Sequence, residues 1–173
     1  AYQAGEWREV TSLMSQLILE QALNGVQFGL MLFLLAAGLT LVFGIMDMIN
    51  LAHGSLYMVG AYLAAAAAAA SGSFVIGVLA AVAGTMAVGA LLELAVLRRL
   101  YTRDHLSQVL ATFALILIAN EAVRMVWGDQ PVMLNAPEAL AGPVEIAGFS
   151  YPAFRLLIIV VGVLVALALY VAV

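Results

Sequence analysis

Long apolar stretches separated by short polar ones dominate the pattern of the chain. A helix needs about 20 mostly apolar residues to cross ~30 Å of hydrocarbon. Five segments reach or approach that length: residues 22–45, 51–70, 74–97, 106–127 and 154–173. The pattern therefore predicts an all-α, polytopic membrane protein with about five transmembrane helices.

Residues 1–21 precede the first of these segments and have a different pattern. Within 6–20, apolar residues recur at helical spacing, with charged or polar residues between them. This pattern predicts an amphipathic helix that lies in the membrane interface or, alternatively, simply extends the first span. The predicted organisation is an amphipathic lead, 1–21, and a transmembrane domain, 22–173.

Composition supports a membrane location and removes several kinds of chemistry. The chain is 66% hydrophobic and 9% charged, with mean hydropathy +1.14, whereas soluble domains carry roughly a quarter charged residues. It has no cysteine, no lysine and two histidines, so we expect no disulfide, no lysine-containing phosphate loop and no metal site. There is no basic stripe of the kind that binds nucleic acid. Membrane lipid is the expected surrounding.

Charge placement predicts the orientation of the spans. The link between the third and fourth spans is rich in arginine: Arg98, Arg99 and Arg103. Short basic links stay in the cytoplasm, whereas the link at 128–152 contains acidic residues and no basic one. We therefore expect the arginine link inside, the acidic link outside and a tight outer turn at 71–73.

Small residues predict close packing of the second and third spans. Residues 64–70 are all alanine, and small residues recur four apart at 80, 84 and at 83, 87. This spacing lets helix backbones approach closely within a bundle.

A polar cluster interrupts the apolar pattern between the first two spans, in the sequence FGIMDMINLAHGSLYMVGAY (43–62). The residues of interest are Gly44, Asp47, Asn50, His53, Gly54 and Ser55. Since glycine loosens a helix and short polar side chains cap exposed N–H groups, we predict that the backbone turns or unwinds here. Such backbone is tolerated at membrane depth only inside protein or beside a wet cavity.

Two interpretations of this break stay open. The polar groups line a solute path or form a hinge, or they cap an ordinary two-helix turn. For His53, a hydrogen-bonded packing role is favoured over a proton relay.

Other charged residues lie near the ends of the third and fourth spans. Glu121 and Arg124 are three residues apart, so they share a helix face. They form either a snorkelling interfacial pair or part of the outer mouth of a path. Glu93 is expected to form an ion pair with the arginine link.

Residues 23–62, LNGVQFGLMLFLLAAGLTLVFGIMDMINLAHGSLYMVGAY, resemble the opening signature of the branched-chain amino acid ABC transporter permeases, specifically their H-type subunit. The order that follows is also similar: a late acidic residue in span three, the arginine link, LATFALILIANEAVRMVWG, and an outer link rich in proline and glycine. Family members have about eight spans, so the resemblance implies a partial chain that lacks the C-terminal half.

The resemblance implies a permease subunit of an ATP-driven importer for branched-chain or related amino acids, working by alternating access. Its implied partners are a second permease subunit, two cytoplasmic ATPases and a periplasmic or extracellular substrate-binding protein. No cofactor is expected in this subunit, because the partner ATPases use the ATP. Transport of urea or short amides by the same permease type stays an alternative.

Two alternatives belong to other classes of protein. An intramembrane enzyme would use Asp47 and His53 as an acid–base pair in one cavity, and no nucleophile motif accompanies them. A scaffolding subunit would only hold other helices in place.

Overall fold

A computed structural model describes residues 2–130, 132–134, 136–146 and 149–172. Its helices are α1 (Tyr2–Met46), α2 (His53–Ser71), α3 (Phe74–Ala95), α4 (His105–Trp127) and α5 (Ala153–Ala172). Each of these five contains a stretch long and apolar enough to cross a membrane. The all-α polytopic class and the predicted spans are therefore confirmed. Residue 1 of the lead and residue 173 of the fifth span lie outside the described residues.

The predicted lead and the first span form one continuous helix. α1 contains 45 residues, which at 1.5 Å per residue is roughly 65 Å, about twice the thickness of the hydrocarbon. Part of α1 therefore extends beyond the hydrocarbon. An interfacial position for the lead stays a prediction.

The chain divides into two compact units, which we describe separately: residues 1–34 with 138–173, and residues 35–137. In the first unit, α1 and α5 run in the same direction. Asn24 lies against Arg155, and about two turns further along each helix Leu30 lies against Gly162. Three predicted spans lie between the first and the fifth in the sequence, so these two are expected to run in the same direction.

The link before α5, rich in proline and glycine, contains regular structure. A short 3₁₀ helix spans Glu138–Leu140, and strands β1 (Pro143–Ile146) and β2 (Phe149–Pro152) form an antiparallel hairpin. Val144 pairs with Tyr151 in its register. The hairpin leads directly into α5, and the N–H of Ala153 donates to the carbonyl of Gly142 at 3.2 Å. The start of α5 is therefore held by this link.

In the second unit, α2 and α3 form the tight antiparallel pair that the small residues predict. Gly72 makes the turn with φ of 67°, a left-handed conformation that glycine adopts without a steric penalty. A Cβ on Gly77 would lie 2.7 Å from the carbonyl oxygen of Ala64, and one on Gly84 would lie 2.6 Å from Leu63. These glycines let the helix backbones approach closely.

A small apolar core lies beside the end of α1, where the polar cluster is found. It consists of Met48 and Ala52 from the chain between α1 and α2, Leu97 from the arginine link and Leu115 from α4. Since all four are buried, the connection between the first two helices packs against α4 and the link.

Candidate functional site

The backbone between α1 and α2 leaves the helical conformation at residues 47–52. Asp47 has φ of 47°, in the left-handed region that few non-glycine residues adopt and that aspartate tolerates better than most. Its N–H still donates to the carbonyl of Phe43 at 2.9 Å, which closes the last turn of α1. The predicted break is confirmed, and Asp47 turns the chain out of the helix.

The break, at 47–52, is shorter than the stretch of 44–55 over which the six predicted residues are spread. Gly44 lies within α1, and His53, Gly54 and Ser55 form the first turn of α2. A Cβ added to Gly44 or Gly54 would meet nothing within 4 Å, so neither glycine is needed for a close contact. The left-handed turn is made by Asp47, and a hinge role for the two glycines stays a prediction.

Asn50 is the buried polar residue of the break, with 5% of its surface exposed. Its Oδ1 accepts from the N–H of Ala52 at 3.1 Å, and its carbonyl accepts from the N–H of His53 at 3.4 Å. The residue that precedes α2 is Ala52, which has no side-chain cap. The predicted capping role therefore holds for Asn50, as a side-chain bond to the turn, but not for Ser55, whose own N–H bonds to Ala52.

Gln108 of α4 joins the break to the arginine link. The residue is 2% exposed, and its Oε1 accepts from the N–H of Ile49 at 3.2 Å. Its Nε2 donates to the carbonyls of Leu100 at 3.2 Å and Arg103 at 3.1 Å. One buried amide therefore holds the break, the link and the first turns of α4 in register.

His53 packs against α1. A Cβ on Gly38 would come 2.7 Å from Nε2 of His53, so the ring lies directly over the α1 backbone. Among the described residues, no hydrogen bond joins it to the exposed side chain of Asp47. Nor does any group of three or more His, Asp or Glu side chains in those ranges have the geometry to hold a metal ion.

The three arginines of the link, Arg98, Arg99 and Arg103, are exposed, and the first two lie on a 3₁₀ turn, Leu97–Arg99. The expected ion pair of Glu93 with this link was wrong. Its carboxylate instead accepts a hydrogen bond from the hydroxyl of Tyr101. Desolvation, together with this bond to Glu93, raises the pKa of Tyr101 to about 12.

Asp104 defines the start of α4. Its Oδ2 accepts from the N–H of Ser107 at 3.0 Å, and its Oδ1 accepts from the hydroxyl of Ser107 at 2.6 Å. This is a side-chain N-cap, which satisfies an N–H group that the helix leaves free. The hydrogen bonds from Ser107 hold the pKa of Asp104 below its usual value.

An open groove of about 560 Å³ begins one turn after the break, between α2 and α3. Its lining is almost entirely apolar or small, with the exceptions of Tyr57 and Thr85. Gly60 faces Thr85 across the groove, since a Cβ there would lie 2.8 Å from the hydroxyl oxygen. The polar groups of the break thus lie at one end of an apolar surface.

Comparison with known proteins assigns the family. The family model described as branched-chain amino acid transport system / permease component matches residues 21–173. The chain belongs to this family.

Curated relatives match a shorter part of this permease. The chain is 50% identical over 46 residues to the high-affinity branched-chain amino acid transport system permease protein BraD of Pseudomonas aeruginosa, a match that covers 27% of this chain and 15% of the relative. It is 51% identical over 45 residues to permease protein LivH of Escherichia coli and of Salmonella typhimurium, covering 26% of this chain and 15% of each relative. No solved structure matches the chain significantly.

The chain has five helices long and apolar enough to cross a membrane, and it belongs to a permease family with bacterial members. It is therefore a multi-pass protein of the inner membrane. The resemblance to the branched-chain amino acid permeases inferred from residues 23–62 is confirmed. The family is one of transport permeases.

At the far end of α4, the permease has the charged pair that the spacing predicted. Nη1 of Arg124 lies 3.3 Å from Oε1 of Glu121, and all the groups are exposed. A shorter contact, 2.8 Å between Nε of Arg124 and Oδ1 of Asp129, was not predicted. Arg124 therefore joins the helix end to the chain that follows it. A role for the pair at the mouth of a path stays a prediction.

Sequence reasoning missed the residues that hold these features together. Gln108 and Thr112 are polar and fully buried near the start of an apolar helix, and a polar residue within a spanning segment is itself a signal for a special role. Asn24 and Arg155 were equally visible as polar residues at the ends of apolar segments. These two residues are 131 positions apart in the sequence, so their hydrogen bond at 2.6 Å depends on contact between α1 and α5.

Proposed function

We propose that this chain is the H-type permease subunit of an ATP-driven importer for branched-chain or related amino acids. The family match over residues 21–173 is the observation that carries the proposal. The matched relatives are named as high-affinity branched-chain amino acid transport permeases, but the matches extend over 15% of their length. Substrate and partners are therefore part of the proposal.

In the proposed mechanism, a substrate-binding protein delivers the amino acid to a pore that this chain forms with a second permease subunit. Two cytoplasmic ATPases hydrolyse ATP and drive the switch between outward and inward openings. This chain supplies membrane helices, a polar break and an apolar surface. The α2–α3 groove supports such a path, because an aliphatic side chain passes an apolar lining without tight binding.

The break is the proposed hinge or path element of this subunit. Its backbone at 47–52 is held by a few side-chain hydrogen bonds, at Asn50 and Gln108, rather than by a helical ladder. A segment of this kind has few bonds to exchange during a conformational change. Asp47 is exposed beside it and is available to a solute or to a partner subunit.

Uptake by membrane vesicles tests the proposal. Vesicles that contain the intact transport system should accumulate labelled leucine in an ATP-dependent manner, with competition by isoleucine and valine but not by urea or acetamide. Uptake of labelled urea or acetamide without uptake of leucine would identify the amide alternative. Affinity purification should recover an ATPase and a second permease; recovery of neither, together with no uptake, would contradict the proposed function.

Substitutions in the break test its role within that system. Asn50→Leu or Asp47→Asn should slow leucine uptake while insertion into the membrane is retained. Thr40→Val is the matched control. Among the residues that the structure describes, the hydroxyl of Thr40 bonds only to the carbonyl of Ala36 in its own helix, at 2.8 Å. Equal uptake rates in all three variants at matched protein level would leave the break with a capping role only.

A further inference from the structure

We propose that Asn24, Tyr151 and Arg155 form a binding site for a carboxylate, and that its ligand is the α-carboxylate of the transported amino acid. This inference rests on the proposed function for the identity of the ligand. The site consists of three side chains, on α1, β2 and α5, that hydrogen bonds hold together.

The amide of Asn24 is fixed in one orientation by two hydrogen bonds to the same oxygen. Its Oδ1 accepts from the hydroxyl of Tyr151 at 2.9 Å and from Nη1 of Arg155 at 2.6 Å. Tyr151 is 0% exposed, so its ring is held by packing. Both partners bond to the oxygen, so the two N–H groups of the Asn24 amide are not used by either of these bonds.

Arg155 is an exposed cation whose described partner is a neutral amide. Among the described residues, the ion pairs are those of Arg124 with Glu121 and Asp129, and none involves Arg155. Arg155 lies in the first turn of a membrane-spanning helix, where a charge without a counter-ion is unfavourable and marks a candidate functional residue. An anion bound beside Asn24 would provide the missing charge.

The available donors match a carboxylate. A guanidinium presents five N–H donors in a planar fork, and a carboxylate accepts two of them in parallel. One of those donors bonds to Asn24, which leaves the other N–H groups of the fork available to a carboxylate. Because Arg155 is exposed, binding should be weak, as suits a site that a substrate enters and leaves during transport.

Ligand binding to the intact transporter tests the site. The transporter is reconstituted in phosphatidylcholine nanodiscs without its binding protein, and saturation-transfer NMR compares L-leucine with L-leucinol, which has a hydroxymethyl group in place of the carboxylate. We expect leucine to bind and leucinol to bind far more weakly. Arg155→Gln should weaken leucine binding about tenfold, since it removes a charge-assisted bond, and Arg155→Lys should recover part of the loss.

Two further variants separate loss of the site from loss of the fold. Asn24→Asp places a carboxylate within reach of Arg155, so it should displace leucine while leaving the melting temperature equal or higher. Arg124→Gln is the matched control, because Arg124 is an exposed arginine at the end of another span that already has two carboxylate partners. It should bind leucine as the unmodified transporter does.

Several outcomes would overturn the inference. Two of them are equal binding of leucine and leucinol, and undiminished binding of leucine by Arg155→Gln. A third is loss of leucine binding when phosphatidylglycerol replaces phosphatidylcholine, which would assign the site to a lipid phosphate. If vesicles import leucine while Arg155→Gln binds it normally, only this site is wrong. If the unmodified vesicles import no amino acid, the proposed function fails by itself.

Discussion

Replacing Gln108 by leucine should destabilise the connection between α1 and α2 more than any other loss of one polar group in α4. The residue is 2% exposed, and its amide makes three hydrogen bonds to backbone groups, those of Ile49, Leu100 and Arg103. Leucine fills a similar volume but bonds to none of these groups. The break would then lose its side-chain tie to α4 and to the link.

The magnitude follows from what each partner retains. Hydrogen bonds in a membrane protein average ~0.6 kcal/mol, so losing all of them costs at least about 2 kcal/mol. The carbonyl of Leu100 still accepts from the N–H of Arg103 at 3.0 Å, whereas the N–H of Ile49 loses its described partner. An unsatisfied buried group costs ~1–3 kcal/mol. The expected loss in free energy of unfolding is therefore about 2–4 kcal/mol.

Unfolding in mixed micelles and hydrogen exchange measure this effect. Gln108→Leu should lower the free energy of unfolding and speed exchange of the amides at 48–52. Thr112→Val is the control, because Thr112 is equally buried but bonds only to carbonyls of its own helix, at 2.8 and 3.2 Å, and it should cost less than about 1 kcal/mol. Equal losses in the two variants, or unchanged exchange at 48–52, would refute the assigned role of Gln108.

Three further predictions address other parts of the molecule. Gly77→Ala should destabilise the α2–α3 pair by about 1–3 kcal/mol in unfolding measurements, because its Cβ would lie 2.7 Å from a backbone oxygen. The control, Gly89→Ala, should be close to neutral, because the atom nearest to its Cβ is 3.9 Å away. Equal effects of the two substitutions would contradict close packing at Gly77. Absorbance titration, as the difference between the unmodified chain and Tyr101→Phe, should show ionisation of Tyr101 near pH 12. Because the pKa is raised in the folded protein, the stabilisation that Tyr101 contributes is present below about pH 10 and is lost as pH rises through 12. Ionisation near pH 10 would disprove the contact with Glu93. Thr102→Cys, the only thiol in the chain, should react with an impermeant maleimide from the cytoplasmic side of vesicles, and labelling from outside would invert the predicted orientation.

Hydrophobic patterning alone determined the class of this protein, the number of spans and their approximate ends. The third span was predicted to begin at Phe74 and the fourth to end at Trp127, which is where α3 begins and α4 ends. Such agreement is expected because the length of an apolar segment must match the bilayer, so this signal is local in sequence. The position of the break was predictable for a related reason: Asp47 and Asn50 are short polar residues in an otherwise apolar hairpin.

The tertiary structure decided which side chains form hydrogen bonds with one another. Glu93 was expected to meet an arginine and bonds instead to Tyr101. The left-handed backbone at Asp47 was not predicted. Gln108 and Asn24 become central only because they meet residues 59 and 131 positions away, respectively. A hydrogen bond depends on atoms within about 3 Å of each other, and sequence does not report such distances between separate helices.

The sequence thus determined that apolar helices must cross a bilayer and that a polar, non-helical segment lies between the first two of them. Only the packed helices decided which buried amide holds that interruption and which arginine is left with a neutral partner. The physical reason is that burial of apolar surface is set by composition along the chain, whereas each polar contact is set by the position of one helix against another.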